Sequence, residues 1–179
     1  MTTNNFPKIQ TERLSLLRLE ESDWEMISFL RTNKKVNAFV NRSSAETKEE
    51  ALEFIQKINT EFKNGNSFYW KITEKNTDKM IGSICLWNFS KDRKTAEIGY
   101  DLSPLYQGKG IMNESLNSIV EFGFKKLELE LIEAYTHHKN DSSKKMLERN
   151  GFKLEKGKKE KDNENNIIYK LKNPAGNNV

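Results

Sequence analysis

Apolar and polar positions alternate with a period of two in some stretches and of about 3.6 in others, and that pattern lays out the elements. In TAEIGYDL, Ala96, Ile98, Tyr100 and Leu102 fall on one face and Thr95, Glu97, Gly99 and Asp101 on the other. This is the mark of a half-buried strand. Ser103 and Pro104 interrupt it, because proline has no N–H to give to a ladder. A helical stripe follows, formed by Met112, Leu116, Ile119, Val120 and Phe124. Between strand and helix lies a glycine-rich turn, Gln107-Gly108-Lys109-Gly110.

The same reading extends to the rest of the chain. RLSLLRL at 13–19 is a first strand. Ser22 with Glu25, and Thr47 with Glu50, have capping-box spacing and predict helices over 22–34 and 47–63. The second has the stripe Ala51, Ile55, Ile58 and Phe62 and stops at Asn64-Gly65. Phe68, Trp70 and Ile72 alternate, Asn76-Thr77-Asp78 supplies a hairpin turn, and an apolar run covers 80–89. A turn at Lys91-Asp92-Arg93 leads into the glutamate-bearing strand. A strand at 131–136, a short helix from Asn140 to the stop at Asn150-Gly151, and a hairpin of 152–155 with 167–171 complete the chain. The order β-α-α-β-β-β-α-β-α-β-β predicts an α+β fold. Its sheet is twisted, mixed and mostly antiparallel, with helices on both faces.

Composition narrows the function classes. A length of 179 residues fits one domain over 1–179, ordered over about 9–172 with a frayed tail at 173–179. The 30 basic residues barely exceed the 26 acidic ones, a net +4 too dispersed to argue for nucleic acid. The densest basic run, 153–161, also contains Glu155 and Glu160 and reads as a solvated surface. A single cysteine, Cys85, excludes an intramolecular disulfide framework. No apolar run reaches the ~20 residues of a membrane helix. MTTNNFPK has neither the basic region nor the apolar core of a signal peptide, so the cytoplasm is the expected location, with no membrane partner.

The glycine turn favours an anion. A helix N-terminus carries unpaired N–H groups and the positive end of the macrodipole, and glycines let a ligand come close to the backbone. Lys109 adds a positive charge. The alternative is a tight strand-to-helix connection in which the glycines serve geometry only. G-x-x-x-x-G-K-S/T is absent, and G-x-G-x-x-G fails because Asn113 occupies its third glycine.

What the turn resembles is the acetyl-CoA loop of the GNAT N-acetyltransferases. Its pattern is Arg or Gln, two residues, Gly, one residue, then Gly or Ala. Gln107 and Gly110 match, and Met112 stands where that family usually has a small residue. The predicted element order is also that family's order. Thr11-Glu12-Arg13-Leu14 followed by Leu16 and Arg18 resembles the opening of the ribosomal-protein (RimJ/RimL-type) branch, as does AEIGY at 96–100. IEAYTHHKNDSSKKMLERNGF at 132–152 is similar to that branch's closing motif.

The resemblance implies an acetyl-CoA-dependent N-acetyltransferase that transfers directly to a primary amine, either a protein N-terminal α-amine or a small amine. It implies that the backbone of Tyr100, Asp101 and Leu102 pairs with the pantetheine arm. It implies that Gln107, Gly108, Lys109, Gly110, Ile111, Met112 and Asn113 hold the pyrophosphate through main-chain N–H groups. Asn140 would bond the pantetheine side, and Ser143 would bind there and protonate the departing thiolate. Leu147 stands where many relatives carry a tyrosine. The two N-terminal helices would frame the acceptor, with Asn37, Asn41 and Arg42 between them. The resemblance leaves a monomer or a homodimer as the expected state.

Elementary chemistry asks for few parts. The attacking amine must be neutral, so a base must accept its proton, and Glu97 is the candidate. A solvent-facing or ion-paired strand glutamate is its alternative, and Asn140 and Ser143 have the alternative of ordinary helix-start residues. Cys85, in an apolar strand, reads as inert core. His137 and His138, adjacent on a strand, point to opposite faces and cannot easily share an ion, so no metal is expected. Phe68, Trp70, Trp87 and Phe89 alternate and read as core. A non-catalytic acyl-CoA-binding module is the competing function.

Overall fold

The computed structural model describes residues 5–160 and 163–177. Its strands are β1 (Ile9–Gln10), β2 (Leu14–Arg18), β3 (Phe68–Glu74), β4 (Met80–Trp87), β5 (Thr95–Leu102), β6 (Leu131–His137), β7 (Lys153–Lys159) and β8 (Asn166–Lys172). Its helices are α1 (Trp24–Thr32), α2 (Lys48–Lys63), α3 (Ile111–Lys125) and α4 (Asp141–Arg149). The expected order is present, with the two-residue β1 added. The strands form an eight-stranded sheet in the order β1-β2-β3-β4-β5-β6-β8-β7. β5 and β6 pair in parallel, and the other neighbours are antiparallel.

Alternation along the strands divides the core in two. Trp70, Ile72, Ile84, Leu86, Ala96, Ile98, Ile132 and Ala134 join Leu116 and Ile119 of α3 and Leu147 of α4 in the larger cluster. Neighbouring Tyr69, with the strand's opposite parity, packs instead with Ile27 and Leu30 of α1 and Ala51 and Ile55 of α2. Helices therefore cover both faces. Lys71 shares the second face and is 2% exposed. Its ammonium lies 3.0 Å from Asp23 and 3.1 Å from Glu20, which ties the entry of α1 to β3.

Three local expectations are corrected. The Ser22 capping box does not form. A 3-10 turn over Glu21–Asp23 precedes α1, and the Asp23 carboxylate accepts the Glu20 N–H instead. The Thr47 and Glu50 box forms as spaced, with Glu50 N–H donating to the Thr47 hydroxyl and Thr47 N–H to the Glu50 carboxylate. Trp87 is not core. It follows Leu86 with opposite parity and is 46% exposed, whereas Phe68, Trp70 and Phe89 pack on the larger cluster. The rings of His137 and His138 stack at 4.6 Å rather than diverge, because β6 ends at His137 and frees the next residue from the pleat.

At the end of β8, Asn173 is bound to the carbonyls of Leu129 and Glu130, and Pro174–Asn177 forms a 3-10 turn. Residues 178–179 of the expected tail, residues 1–4 of the N-terminus and Lys161 of the basic run lie outside the described residues. Among the described residues, no helix is long and apolar enough to cross a membrane.

Candidate active site

The sheet opens at its centre. β5 pairs with β6 only over Thr95–Glu97 against Leu131–Glu133, while β6 continues along β8 and β5 continues along β4. The Ser103 N–H donates to Ile81 O in β4. Alternation then turns the C=O of Ile98 and the N–H and C=O groups of Tyr100 and Leu102 the other way, past the last pairing with β6 and towards the gap. A strand edge with unsatisfied groups results, inside a cleft of about 1290 Å³.

One end of the cleft is main chain. Gly108 and Gly110 both have φ +75°, a left-handed conformation that side chains rarely adopt, and Gly110 is the N-cap of α3. Successive N–H groups in this geometry form an anion-binding hollow at a helix N-terminus. The side chains of the loop turn elsewhere. Gln107 Nε2 donates to Leu102 O at 3.1 Å, which occupies one of the carbonyls assigned to pantetheine. Ile111 and Met112 are buried in the core. The Met112 side chain thus leaves the backbone of the first turn clear. Asn113 Oδ1 accepts from Asn150 at 2.8 Å, and the Lys109 ammonium lies 5.2 Å from the Tyr106 ring centroid.

The other end is side chain. Glu97 lies on the α1–α2 face of β5, and burial pushes its carboxyl up to about 7, aided by the charges of Glu160 and Glu133. The Asn88 amide donates to it at 3.4 Å. Asp101 shares this face. Its side chain accepts from Ser83 and pairs with Arg42 at 2.8 Å. Arg42 also donates to Asn37 Oδ1 and to Leu30 O, which fastens the α1–α2 connection over the cleft. Trp87, Tyr135 and Phe39 complete this wall.

On the opposite face, Tyr100 OH lies 2.8 Å from Ser143 Oγ. Burial pushes the phenol up to about 12, so it is protonated at neutral pH. Asn140 is the N-cap of α4, and its side-chain oxygen accepts the Ser143 N–H at 3.1 Å. Leu147 is fully buried in the core. Cys85 lines the cleft, and burial pushes its thiol up to about 12, so it is a thiol rather than a nucleophilic thiolate. A carboxyl and a hydroxyl pair therefore stand on the two sides of one unpaired strand edge, beside a glycine-capped helix N-terminus.

The sequence profile described as acetyltransferase (GNAT) domain matches residues 13–153, well over half of the chain. The chain belongs to the GNAT acetyltransferase family. The uncharacterized N-acetyltransferase p20 of Bacillus licheniformis is 31% identical over 147 residues, 82% of this chain and 83% of that protein. The ribosomal-protein-S5-alanine acetyltransferase of Vibrio fischeri superposes with a TM-score of 0.79 at 26% identity, covering 94% of this chain and 97% of its own. RimL, a ribosomal L7/L12 α-N-protein acetyltransferase solved with coenzyme A, superposes with a TM-score of 0.78 at 20% identity, covering 93% and 98%.

In this GNAT acetyltransferase the expected residues other than Lys109 line one cleft: Glu97, Tyr100, Asp101, Leu102, Gln107, Gly108, Gly110, Ile111, Met112, Asn113, Asn140 and Ser143. Asp101, however, turns its main-chain groups to Ser83 of β4 and away from the gap, and its side chain pairs with Arg42. Sequence reasoning missed the Tyr100 hydroxyl, for tyrosine in an alternating strand signals only packing. It also missed the Arg42 and Asp101 pair, whose members are 59 positions apart. No sequence signal marks that pairing.

Proposed function

We propose that this GNAT protein transfers the acetyl group of acetyl-CoA directly to a primary amine, with a protein N-terminal α-amine as the leading acceptor and small amines as the alternative class. One observation carries the reading: the edge of β5 is unpaired beyond Glu97, beside a glycine-capped helix N-terminus. The chain belongs to a family of acetyltransferases, and relatives named for ribosomal proteins support a protein acceptor.

The N–H groups of Gly108, Gly110 and the first turn of α3 hold the pyrophosphate, and the free edge at Ile98 and Tyr100 holds the pantetheine arm. Bound there, acetyl-CoA supplies an activated thioester carbonyl. A strand N–H at that edge stabilises negative charge developing on the carbonyl oxygen. Glu97 takes the proton that the amine must lose, and its position near neutrality suits that task. The Tyr100 and Ser143 hydroxyls, on the opposite face, deliver a proton to the departing sulfur. Trp87, Phe39 and the Arg42-fastened connection shape the acceptor end.

Calorimetric titration with acetyl-CoA, alongside Gly110→Glu, tests the reading. The substitution forces a side chain onto a residue at φ +75° and adds a negative charge to the loop that would hold the pyrophosphate. Micromolar binding lost in a variant that still melts cooperatively supports it, and turnover on a panel of N-terminal peptides and small amines then selects the acceptor. An unmodified protein that binds no acetyl-CoA contradicts it. Binding without turnover on any amine, unchanged by Glu97→Gln, is the result of the non-catalytic module.

A further inference from the structure

Arg13 stands in the turn between β1 and β2, far from the glycine loop in sequence, yet it lies against that loop. Its Nη1 donates to the C=O of Lys109 at 3.0 Å and its Nε to Glu114 Oε2 at 2.7 Å. Its backbone N–H donates to Glu114 Oε1 at 2.8 Å, and the Thr11 hydroxyl donates to the same oxygen. A Cβ on Gly110 would lie 3.4 Å from Arg13 Nη2. The β1–β2 turn, the loop and the first turn of α3 are thus joined at one point.

The consequence follows from peptide geometry. The C=O of Lys109 and the N–H of Gly110 belong to one trans peptide, so they point in opposite directions. By holding the oxygen on its own side, Arg13 turns the Gly110 N–H away from itself. Glu114 would otherwise place an unpaired carboxylate in the same helix turn that is to receive an anion, and its charge would offset the macrodipole. The guanidinium balances that charge and is itself aimed by it.

We infer that Arg13, held by Glu114, is a positioning residue that sets the anion-binding conformation of the Gly108–Gly110 turn for the pyrophosphate of acetyl-CoA. This rests on the cofactor reading above. The pair is exposed, with side chains 50% and 19% accessible, so it contributes little to overall stability. Its work is local orientation.

The test compares CoA with pantetheine, which lacks the pyrophosphate. CoA is titrated calorimetrically, and pantetheine is read at millimolar concentration as a shift in Tm. Arg13→Ala weakens CoA about tenfold, and Glu114→Gln weakens it about threefold although a negative charge has been removed. Both variants keep the pantetheine shift, and both melt without ligand within about 2 °C of the unmodified protein. Tighter CoA binding by Glu114→Gln overturns the inference, because Glu114 then acts by charge alone. Unchanged CoA binding by Arg13→Ala overturns it, as does an equal loss of CoA and pantetheine. Failure of the unmodified protein to bind CoA is a different result and removes the cofactor reading first.

Discussion

The two ends of the cleft are each fastened by an arginine that crosses the fold, and they differ in what the arginine leaves for a ligand. At the loop end Arg13 binds a carbonyl and a helix carboxylate, and Gln107, Asn113 and Met112 likewise turn their side chains away. What remains is main chain. At the acceptor end Arg42 binds Asp101, Asn37 and Leu30 O, and what remains is a set of side chains from separate segments, with Glu97, Trp87 and Tyr135 among them. A site made of backbone tolerates many side chains, provided that its glycines keep φ positive. A site made of side chains changes with each substitution. The first suits an invariant donor and the second a variable acceptor.

The largest effect that sharpens this contrast is at Glu97. Glu97→Gln lowers kcat by about 10²–10³-fold while acetyl-CoA binding is retained. Because burial raises the carboxyl to about 7, the rate of the unmodified enzyme rises with pH through about 7, and the variant loses that limb. Stability moves the opposite way. A carboxyl whose folded pKa is raised favours the fold below its unfolded pKa, near 4.5, and loses that contribution as pH rises through about 7. Glu97→Gln is therefore more stable than the parent at pH 8, by up to about 3 kcal/mol, and urea melts at pH 4 and pH 8 read the difference.

Next in size is the acceptor-side fastening. Arg42→Ala leaves Asp101 partly buried without its cation and costs about 2 kcal/mol in a urea melt. It raises the acceptor KM and leaves the affinity for CoA within about twofold. Should CoA affinity fall as far as acceptor affinity, the two ends are not independent. Tyr100→Phe removes one hydroxyl of the pair proposed to deliver the proton and is expected to lower kcat about tenfold with little change in CoA affinity, and Ser143→Ala to do the same. A double variant no worse than either single one would show that the hydroxyls act as one unit.

The same contrast explains what the sequence reveals. The fold was legible because its elements are local: the Thr47 box, the Asn64-Gly65 stop, the alternating β5 and the N-cap at Asn140 are written within a few residues. The loop end was legible for the same reason, since Gln107 to Gly110 is contiguous. The acceptor end was not, because Arg42 meets Asp101, and Glu97 meets Glu133, only after the sheet has formed. Trp87 is exposed where the sequence suggests core, because the run it belongs to is apolar on both faces and periodicity cannot then say which side faces an opening. The Ser22 box does not form because Asp23, one residue on, closes an earlier cap by accepting the Glu20 N–H, and it also neutralises the buried Lys71.

The most direct test of the central claim is amide hydrogen exchange, residue by residue, with and without CoA. A cofactor held by main chain slows exchange at Tyr100 and across 108–113 and leaves 37–42, the connection fastened by Arg42, unchanged. Protection confined to 37–42, or absent from Tyr100 and the glycine loop while CoA is bound, would contradict the account.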